Sequence, residues 1–308
     1  MAACKDLLLQ AVEQTISKVN DGFKIKPKQL EAIKNIVEKK DTLAILPTSY
    51  GKSLIYQMLP SVCTTLGLAL NPFVIVISPL KSLIQDQLSA ASNLKCIGLL
   101  PSSLSNIKPE ELITGKKNLL IDTPEAWLDD QQWCNLLSTK FCRNNLICIV
   151  IDEAHLVSWG VPSEDSEKAF REAFSRINTI RSFCGEHVPI LALSATVDKD
   201  ISHLISSLCG MSRKLCTIFT SSDRKNIKLS MVNIKSKNID CFRWVLDQVR
   251  LLKEECPKIS IYCRTQTLVG WLFEKFIFSL KNEAYTGRGT PKTHGPQKPH
   301  THIWSSYS

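Results

Sequence analysis

One loop, residues 46–53 (Leu-Pro-Thr-Ser-Tyr-Gly-Lys-Ser), constrains this chain more than any other stretch. It follows a compact apolar run, residues 42–46, and precedes a stretch with helical character, residues 54–59. A phosphate-binding loop has this strand–loop–helix context, because backbone N–H groups of the turn and of the helix N-terminus converge on phosphate oxygens. The pattern predicts that Lys52 reaches the β- and γ-phosphates of a nucleotide and that the Ser53 hydroxyl coordinates Mg²⁺.

The strict form of this loop begins with Gly, whereas this chain has Leu46. On the loop alone, a second interpretation therefore stays open, in which a glycine turn is simply followed by an exposed lysine. The residues predicted to contact the nucleotide are Thr48, Ser49, Tyr50, Gly51, Lys52 and Ser53.

Length and charge place broad limits on the protein. The 308 residues provide for one large domain or two of ordinary size, and 44% hydrophobic and 22% charged residues are typical of a soluble globular chain. The formal net charge of +9 favours a polyanionic partner, either nucleic acid or phosphate. Because the excess charge is spread along the chain, it does not identify the partner by itself.

The twelve cysteines do not indicate a disulfide framework. The N-terminus has no export signal, no two cysteines form a C-x-x-C pair, and Cys63, Cys148 and Cys209 lie in apolar runs. We therefore expect reduced, buried cysteines in an intracellular protein without a zinc site. The richest apolar stretch, residues 66–80, is interrupted by an Asn-Pro pair and is too short for a membrane span, so we expect a soluble protein with no membrane partner.

Apolar runs alternate with helical patterns along the chain. Near-continuous Val/Ile/Leu runs predict an α/β fold with a parallel sheet that is covered by helices on both faces. The predicted strands are residues 42–46, 73–78, 96–99, 119–121, 146–151 and 190–194. The predicted helices are one with Leu8, Val12, Ile16 and Val19 on one face, one with Leu30, Ile33 and Val37, and residues 52–65, 80–88 and 168–183.

The sequence after about Cys216 becomes polar and then begins a second α/β unit. Strands are predicted at residues 227–232 and 259–263, and helices at 240–252 and 268–280. This unit is too short to bury both faces of a sheet. The tail carries three prolines and three histidines without periodicity; we expect disorder, with metal binding by the histidines as the alternative. The predicted divisions are an N-terminal helix (1–22), a first domain (23–216), a linker (217–228), a partial second domain (229–289) and the tail (290–308).

Two acidic residues, Asp152 and Glu153, follow a strand of the buried type. A nucleotide hydrolase needs a carboxylate at such a place to hold Mg²⁺, and Asp152 fits this role. It also needs a base that orients and deprotonates the attacking water, and Glu153 is adjacent. An acidic pair after a strand is commonly just solvated. Because Lys52 also follows a strand, and ligands of parallel sheets bind beyond the carboxyl ends of the strands, hydrolysis is the favoured interpretation.

Taken together, residues 23–289 resemble the superfamily 2 helicases and, among them, the RecQ-like DNA helicases. The resemblance depends on several motifs in the right order, of which residues 78–87 are the most specific for RecQ-like proteins. It implies a RecA-like (P-loop NTPase) first domain and the start of a second RecA-like domain. The matching motifs are residues 23–29, 47–53, 78–87, 122–125, 152–155 (the DEAH box), 194–196, 224–227 and 261–264.

The resemblance implies an ATP-dependent 3′→5′ DNA helicase that uses ATP and Mg²⁺, binds single-stranded and duplex DNA, and resides in the nucleus, with the cytoplasm as an alternative. Gln29 would hydrogen-bond the adenine edge, with Phe23 or Lys26 stacking nearby. Trp159 would stack on single-stranded DNA, although a packed core aromatic is the alternative interpretation. The implied DNA-binding and coupling residues are Ser78, Lys81, Gln85, Gln87, Thr123, His155, Trp159, Ser194 and Thr196.

The chain also departs from the family pattern. Ser49 stands where the family usually has Gly, which would weaken nucleotide binding if that position needs a positive φ. The adenine element is shorter than in bacterial RecQ, and residues 160–165 rearrange the aromatic loop. No residues after Gly289 match the final motifs, which include the arginine finger, so we expect a truncated chain that unwinds poorly alone. Two alternatives stay open: a nucleotide-regulated DNA-binding fragment without turnover, and an RNA-directed relative.

Overall fold

The computed structural model describes residues 2–18, 24–92, 94, 101–163, 166–221 and 239–284. The chain divides into two compact units, Met1–Arg224 and Lys225–Ser308. Several predicted features lie outside the described residues: Phe23, the strands at 96–99 and 227–232, the interdomain motif at 224–227, and the tail at 290–308.

The first unit is built on a seven-stranded sheet in which every pair of neighbouring strands is parallel. The strands are β1 Thr42–Ile45, β2 Phe73–Ile77, β3 Pro101–Ser102, β4 Leu119–Asp122, β5 Leu146–Ile151, β6 Pro162–Ser163, β7 Ser166–Ala169, β8 Ile190–Ser194 and β9 Cys216–Phe219. In the sheet they occur in the order β3-β4-β2-β5-β8-β1-β9, and a separate antiparallel pair is formed by β6 and β7. This arrangement confirms the predicted α/β fold with a parallel sheet.

The central strands are buried on both faces, which explains their continuous apolar sequences. Alternate residues of β2 belong to different cores, because successive side chains of a strand point to opposite faces. Val74 and Val76 pack in one core cluster, whereas Phe73, Ile75 and Ile77 pack in the other. The sheet therefore separates two hydrophobic layers.

Helices cover both layers. The first four helices contribute to the core that contains Val74, and the sixth, seventh, ninth and tenth contribute to the core that contains Ile75. Cys63, Cys148 and Cys209 are buried, as predicted. The helices of the first unit are α1 Ala2–Ser17, α2 Pro27–Val37, α3 Lys52–Thr65, α4 Lys81–Ser92, α5 Pro109–Ile113, α6 Pro124–Asp129, α7 Gln131–Leu137, α8 Lys140–Asn145, α9 Ile177–Cys184 and α10 Lys199–Leu208, with 3₁₀ turns at Leu104–Asn106, Ala154–Gly160 and Glu172–Arg176.

The predicted helix at residues 168–183 is wrong in its first half. Residues 166–169 form β7, Glu172–Arg176 is a 3₁₀ turn, and α9 begins only at Ile177. The backbone N–H of Arg171 donates to the carbonyl of Trp159 at 2.8 Å, so it is not available for an α-helical bond to the preceding turn. The apolar spacing of Phe174 and Ile177 arises instead from two consecutive elements that face the same core.

The predicted linker at residues 217–228 begins too early. Residues Cys216–Phe219 form β9, which pairs in parallel with β1 from Thr42 to Ile45 at the edge of the sheet. Strand β9 is short and lies at the edge of the sheet, where only Ile218 of its four residues is fully buried, so it lacks the long apolar run of the central strands. At the other end of the unit, α1 is not a separate element, since Leu8, Val12 and Ile16 pack in the same core as α3.

The second unit contains α11 Arg243–Leu252 and α12 Gln266–Ala284, with 3₁₀ turns at Ile239–Phe242 and Lys253–Glu255. Both predicted helices of this unit are therefore confirmed. Residues 259–263 form no strand within the described ranges. The other strand predicted for this unit, residues 227–232, lies outside those ranges, so the pairing of the two stays a prediction. None of the helices in the described ranges combines the length and the apolar character that crossing a membrane requires.

Candidate nucleotide and nucleic-acid site

The loop between β1 and α3 takes up backbone conformations that favour glycine. Gly51 has a φ of 87° directly before the first residue of α3, and an added Cβ there would lie 2.6 Å from Nε2 of Gln29. Ser49 has a φ of 66°, which is a strained conformation for a residue with a side chain. Position 49, where the family usually has Gly, therefore has the positive φ that favours glycine.

Two side chains from the start of α2 hold this loop. Gln29 is buried, and its Nε2 donates to the carbonyls of Tyr50 at 3.1 Å and Gly51 at 2.9 Å. Lys26 donates from Nζ to the carbonyl of Tyr50 at 2.9 Å, and its ammonium lies 4.5 Å from the centre of the Tyr50 ring. The residues predicted to read adenine thus contact the loop backbone in this structure, and their contact with a base stays a prediction.

The predicted catalytic residues lie at one edge of the sheet. Strand β8 lies between β1, which leads to Lys52, and β5, which leads to Asp152. The N–H of Leu46 donates to the carbonyl of Ser194 at 2.9 Å, so β1 and β8 end side by side. Because all three strands are parallel, Lys52, Asp152 and Ser194 meet at their carboxyl ends.

Electrostatics supports this proximity. Burial and the neighbouring charge of Glu153 raise the pKa of Asp152 to about 6, while the Lys52 ammonium acts in the opposite direction. Lys52 itself donates to the carbonyl of Leu46 at 3.3 Å. The two adjacent carboxylates create a local excess of negative charge that a cation would relieve.

The donor set at this edge suits Mg²⁺. Ser53 provides a hydroxyl and Asp152 a buried carboxylate, and oxygen ligands of this kind hold Mg²⁺ together with substrate phosphates. Within the ranges that the structure describes, no group of three or more His, Cys, Asp or Glu residues forms an all-protein metal cage. The oxygen donors of Ser53 and Asp152 are of the type that Mg²⁺ prefers, and their binding of Mg²⁺ stays a prediction.

Glu153 lies in the left-handed region, with a φ of 46°, directly after β5. Its Oε2 is 3.5 Å from Nδ1 of His155, and the same nitrogen lies 3.0 Å from Oγ of Ser194. The Ser194 hydroxyl in turn donates to the carbonyl of Thr196 at 3.0 Å. Glu153, whose backbone is strained, is thus connected through His155 to residues 194–196. Backbone strain of this kind is often found at functional sites, which supports a functional role for Glu153.

A groove with a volume of about 1100 Å³ lies beside this edge. Three of the residues predicted to contact DNA line it, namely Lys81, Gln85 and Thr123. The other six do not line it. Among them, Ser78 is fully buried, and Gln87 turns towards Asp152, to which its Nε2 donates at 2.5 Å. The structure therefore brings together only part of the predicted DNA-binding set.

Trp159 packs at the border of one core rather than inside it. Its ring meets Phe170 edge to face at a centroid distance of 5.2 Å and Phe174 at 6.2 Å. Phe174 is buried, whereas 76% of Phe170 is exposed. Trp159 is thus partly a core aromatic, and Phe170 is the more accessible ring of the pair.

Arg171 is a site residue whose role the sequence did not reveal. It donates to both carboxylate oxygens of Glu125, at 3.1 and 2.6 Å, and also to the carbonyl of Pro79. Burial raises the pKa of Glu125, but the hydrogen bond and the charge of Arg171, together with hydrogen bonds from the Glu125 backbone and from Thr123, outweigh burial and leave this pKa below its usual value. Arg171 therefore ties the aromatic segment to two of the predicted DNA-binding motifs. The sequence feature that could have pointed to Arg171 is its position directly after Phe170.

Comparison with known proteins agrees with this geometry. A family model described as DEAD/DEAH box helicase matches residues 26–204. The Caenorhabditis elegans protein "Putative ATP-dependent DNA helicase Q1" is 34% identical over 261 residues, which cover 77% of this chain and 38% of that protein. "ATP-dependent DNA helicase RecQ" of Synechocystis is 30% identical over 292 residues, which cover 90% of this chain and 56% of that protein.

A solved structure shares the fold. The crystal structure of the DUF1998 helicase MrfA matches with a TM-score of 0.60 at 17% identity, covering 92% of this chain and 42% of that one. The chain spans less than two thirds of the length of each of these relatives. The family match covers more than half of the 308 residues. The chain therefore belongs to the DEAD/DEAH box helicase family, and its predicted resemblance to the RecQ-like members is confirmed.

Proposed function

We propose that this chain is an ATP-dependent DNA helicase of RecQ type, which couples ATP hydrolysis to 3′→5′ movement along single-stranded DNA and to duplex unwinding. The observation that carries the proposal is the convergence of Lys52, Asp152 and Glu153 at the carboxyl edge of one parallel sheet. The RecQ-like relatives support DNA as the nucleic acid. An RNA-directed enzyme is the competing candidate.

The loop residues bind the triphosphate. Backbone N–H groups of the loop and of the N-terminus of α3 would donate to phosphate oxygens, apart from the N–H of Tyr50, which donates to the carbonyl of Pro47 at 3.1 Å. The Lys52 ammonium would neutralise charge on the β- and γ-phosphates. Ser53 and Asp152 hold Mg²⁺, which when bound offsets the charge that develops during phosphoryl transfer. Gln29 and Lys26 are the proposed adenine contacts. Gln29 would exchange hydrogen bonds to the loop for bonds to the base, because both of its N–H donors and its carbonyl oxygen are engaged in this structure.

Glu153 acts as the base. It orients the attacking water and accepts its proton, and the local pair with His155 keeps the carboxylate in place. Ser194 and Thr196 respond to the presence or absence of the γ-phosphate. The response passes through His155, which contacts both Glu153 and Ser194. This chain of contacts is the proposed coupling between hydrolysis and DNA movement.

The groove holds single-stranded DNA. Four carboxylates line it against two cations, Lys81 and Arg171, and Arg171 is already paired with Glu125. Lys81 is thus the groove cation for which a phosphate is the proposed partner, with Gln85 and Thr123 as neutral donors. Phe170 and Trp159 provide the faces on which bases stack.

The RecQ resemblance extends the proposal to the cell. DNA repair and recombination in the nucleus are the expected setting, with the cytoplasm as the alternative location. Residues 229–289 are proposed to belong to the second motor domain, since motif 261–264 resembles its opening.

Steady-state ATP hydrolysis, measured with and without single-stranded DNA, tests the proposal. We expect DNA-stimulated turnover in the wild type and its loss in both Lys52→Ala and Glu153→Gln. Binding of nucleotide and DNA without turnover would instead favour a nucleotide-regulated DNA-binding protein. Competition between single-stranded DNA and RNA of the same length distinguishes the two nucleic acids, and stronger stimulation by RNA would contradict the assignment to DNA.

A further inference from the structure

Helix α4 connects the groove to the predicted metal carboxylate. Lys81 and Gln85 are four residues apart, so they share one face of the helix, and both line the groove. Gln87 is rotated by about 200° from Gln85, because each residue turns an α-helix by roughly 100°. Its side chain therefore leaves the opposite face and reaches Asp152.

The contact between Gln87 and Asp152 is specific. Nε2 of Gln87 donates to Oδ2 of Asp152 at 2.5 Å, while the backbone N–H of Glu153 donates to Oδ1 at 3.0 Å. Both carboxylate oxygens thus have a fixed donor, which restricts the orientation of a group that is 8% exposed. Hydrogen bonds to a carboxylate are stronger than those between neutral groups.

Two further polar atoms near this carboxylate have no hydrogen-bond partner among the described residues. One is the buried Oε1 of Gln87, and the other is the hydroxyl of Tyr56, a fully buried side chain of α3. The charge of Asp152 is close enough to act on the Tyr56 hydroxyl, although burial is the main reason that its pKa is raised. Buried polar atoms without partners commonly mark a missing water or ion, and a hydrated cation held by Asp152 would supply them.

We propose that Gln87 is a positioning residue that ties the Mg²⁺-holding carboxylate of Asp152 to α4, so that single-stranded DNA in the groove alters the affinity for Mg²⁺·nucleotide. This inference rests on the proposed function, because it assumes nucleotide and DNA sites at the positions described above. It assigns Gln87 to the metal carboxylate rather than to the DNA backbone. Outer-shell partners of metal ligands typically change metal affinity about 10- to 100-fold when they are mutated.

The test measures binding of a fluorescent ADP derivative during a Mg²⁺ titration, with and without an oligothymidylate strand. In the wild type, the strand changes the Mg²⁺ concentration that gives half-maximal nucleotide binding. In Gln87→Ala, that concentration rises by about tenfold or more, and the strand no longer changes it. The affinity for the strand without nucleotide stays at the wild-type level.

A second variant and a control keep the test decisive if the first variant folds poorly. Gln87→Met keeps the approximate length of the side chain but removes the donor to Asp152 without adding a charge, so it should weaken Mg²⁺-dependent binding to a similar extent. Ser89→Ala changes an exposed residue of the same helix and should behave as the wild type does.

Three outcomes would overturn the inference. The first is a Gln87→Ala protein that keeps the wild-type response to the strand. The second is a loss of DNA affinity in the absence of nucleotide, which would mean that Gln87 contacts DNA directly. The third is a wild type that binds Mg²⁺·nucleotide with no response to the strand. A wild type that binds no Mg²⁺·nucleotide at all would instead overturn the proposed function itself.

Discussion

Arg171 donates hydrogen bonds to both carboxylate oxygens of Glu125, from Nε at 3.1 Å and from Nη2 at 2.6 Å. The central carbon of the Arg171 guanidinium, Cζ, lies 5.0 Å from the ring centre of Phe174. A lysine cannot reproduce this planar, two-point contact, because its ammonium is a single point charge. The geometry of the groove near Pro79 and Glu125 therefore depends on an arginine at position 171.

Replacing Arg171 by Lys should lower the free energy of unfolding by about 1–2 kcal/mol and reduce stimulation of hydrolysis by single-stranded DNA. Denaturant unfolding and DNA-dependent ATPase assays measure the two effects. Arg176→Lys is the matched control, since Arg176 and Asp129 form a longer pair of 3.6 Å in which both side chains are at least half exposed. Equal effects of the two substitutions would contradict the role of Arg171.

Ser49→Gly should stabilise the loop. The residue has a φ of 66°, and glycine adopts this conformation without the cost that a Cβ imposes. We expect a gain of up to about 1 kcal/mol in the free energy of unfolding, reduced by the greater freedom of glycine in the unfolded chain. Nucleotide affinity should rise as well, because the loop would no longer be strained.

Lys39→Gly provides the comparison for the loop. Lys39 has a φ of 60° just after α2, so the same change should relieve backbone strain outside the nucleotide loop. It should change thermal stability but leave nucleotide affinity as it is. A Ser49→Gly protein with weaker nucleotide binding than the wild type would show that the serine itself contributes to the site.

Asp152→Asn should make the nucleotide-free protein more stable at pH 7.5. Burial and the charge of Glu153 raise the pKa of Asp152 to about 6 in the folded state, so this state binds the proton more tightly than the unfolded chain does. The stabilising contribution of Asp152 is complete below about pH 4 and is lost as the pH rises through about 6.

The free energy of unfolding of the asparagine variant should therefore be higher than that of the wild type by roughly 2–3 kcal/mol at pH 7.5. The difference should vanish near pH 4. Thermal unfolding across this range, in EDTA and without nucleotide, measures it. A difference that stays constant with pH would mean that ionised Asp152 carries no cost of burial.

Asp41→Asn should destabilise the first unit strongly. Asp41 is buried and accepts hydrogen bonds from Arg181 at 2.7 Å, the N–H of Ile190 at 2.9 Å and the N–H of Ser212 at 2.6 Å. These partners come from three separate segments of the chain, so the carboxylate joins β8 and α9 to the turn before β9. Breaking a buried ion pair of this kind costs about 3–5 kcal/mol.

The exposed pair of Lys28 and Glu31, at 2.8 Å, provides the control for Asp41. Glu31→Gln should cost far less, because surface ion pairs contribute little to stability. Urea unfolding of both variants makes the comparison. Equal costs would contradict the assignment of Asp41 as the structural anchor at the start of β1.

The local sequence predicted the nucleotide loop and its flanking elements well. Residues 52–65 form a helix with the predicted bounds, and residues 146–151 and 190–194 are strands as predicted. These segments have continuous apolar runs and a marked turn, and such signals do not depend on distant residues.

Elements that depend on distant partners were not predictable in the same way. Strand β9 exists because it pairs with β1, which lies more than 170 residues earlier in the chain. The interrupted helix before Ile177 depends on the carbonyl of Trp159. Likewise, the hydrogen bond from Gln87 to Asp152 joins residues that are 65 positions apart in the chain, which a local motif cannot reveal.

The most direct test of the account is a double-mutant cycle on Mg²⁺·ATP binding with Lys52→Ala, Asp152→Asn and the double variant. If both side chains face one triphosphate, each single change weakens binding at least about tenfold, and the double variant loses less than the sum of the two free energies. Wild-type affinity in Lys52→Ala, or strictly additive losses, would contradict a shared nucleotide site at the carboxyl edge of the sheet.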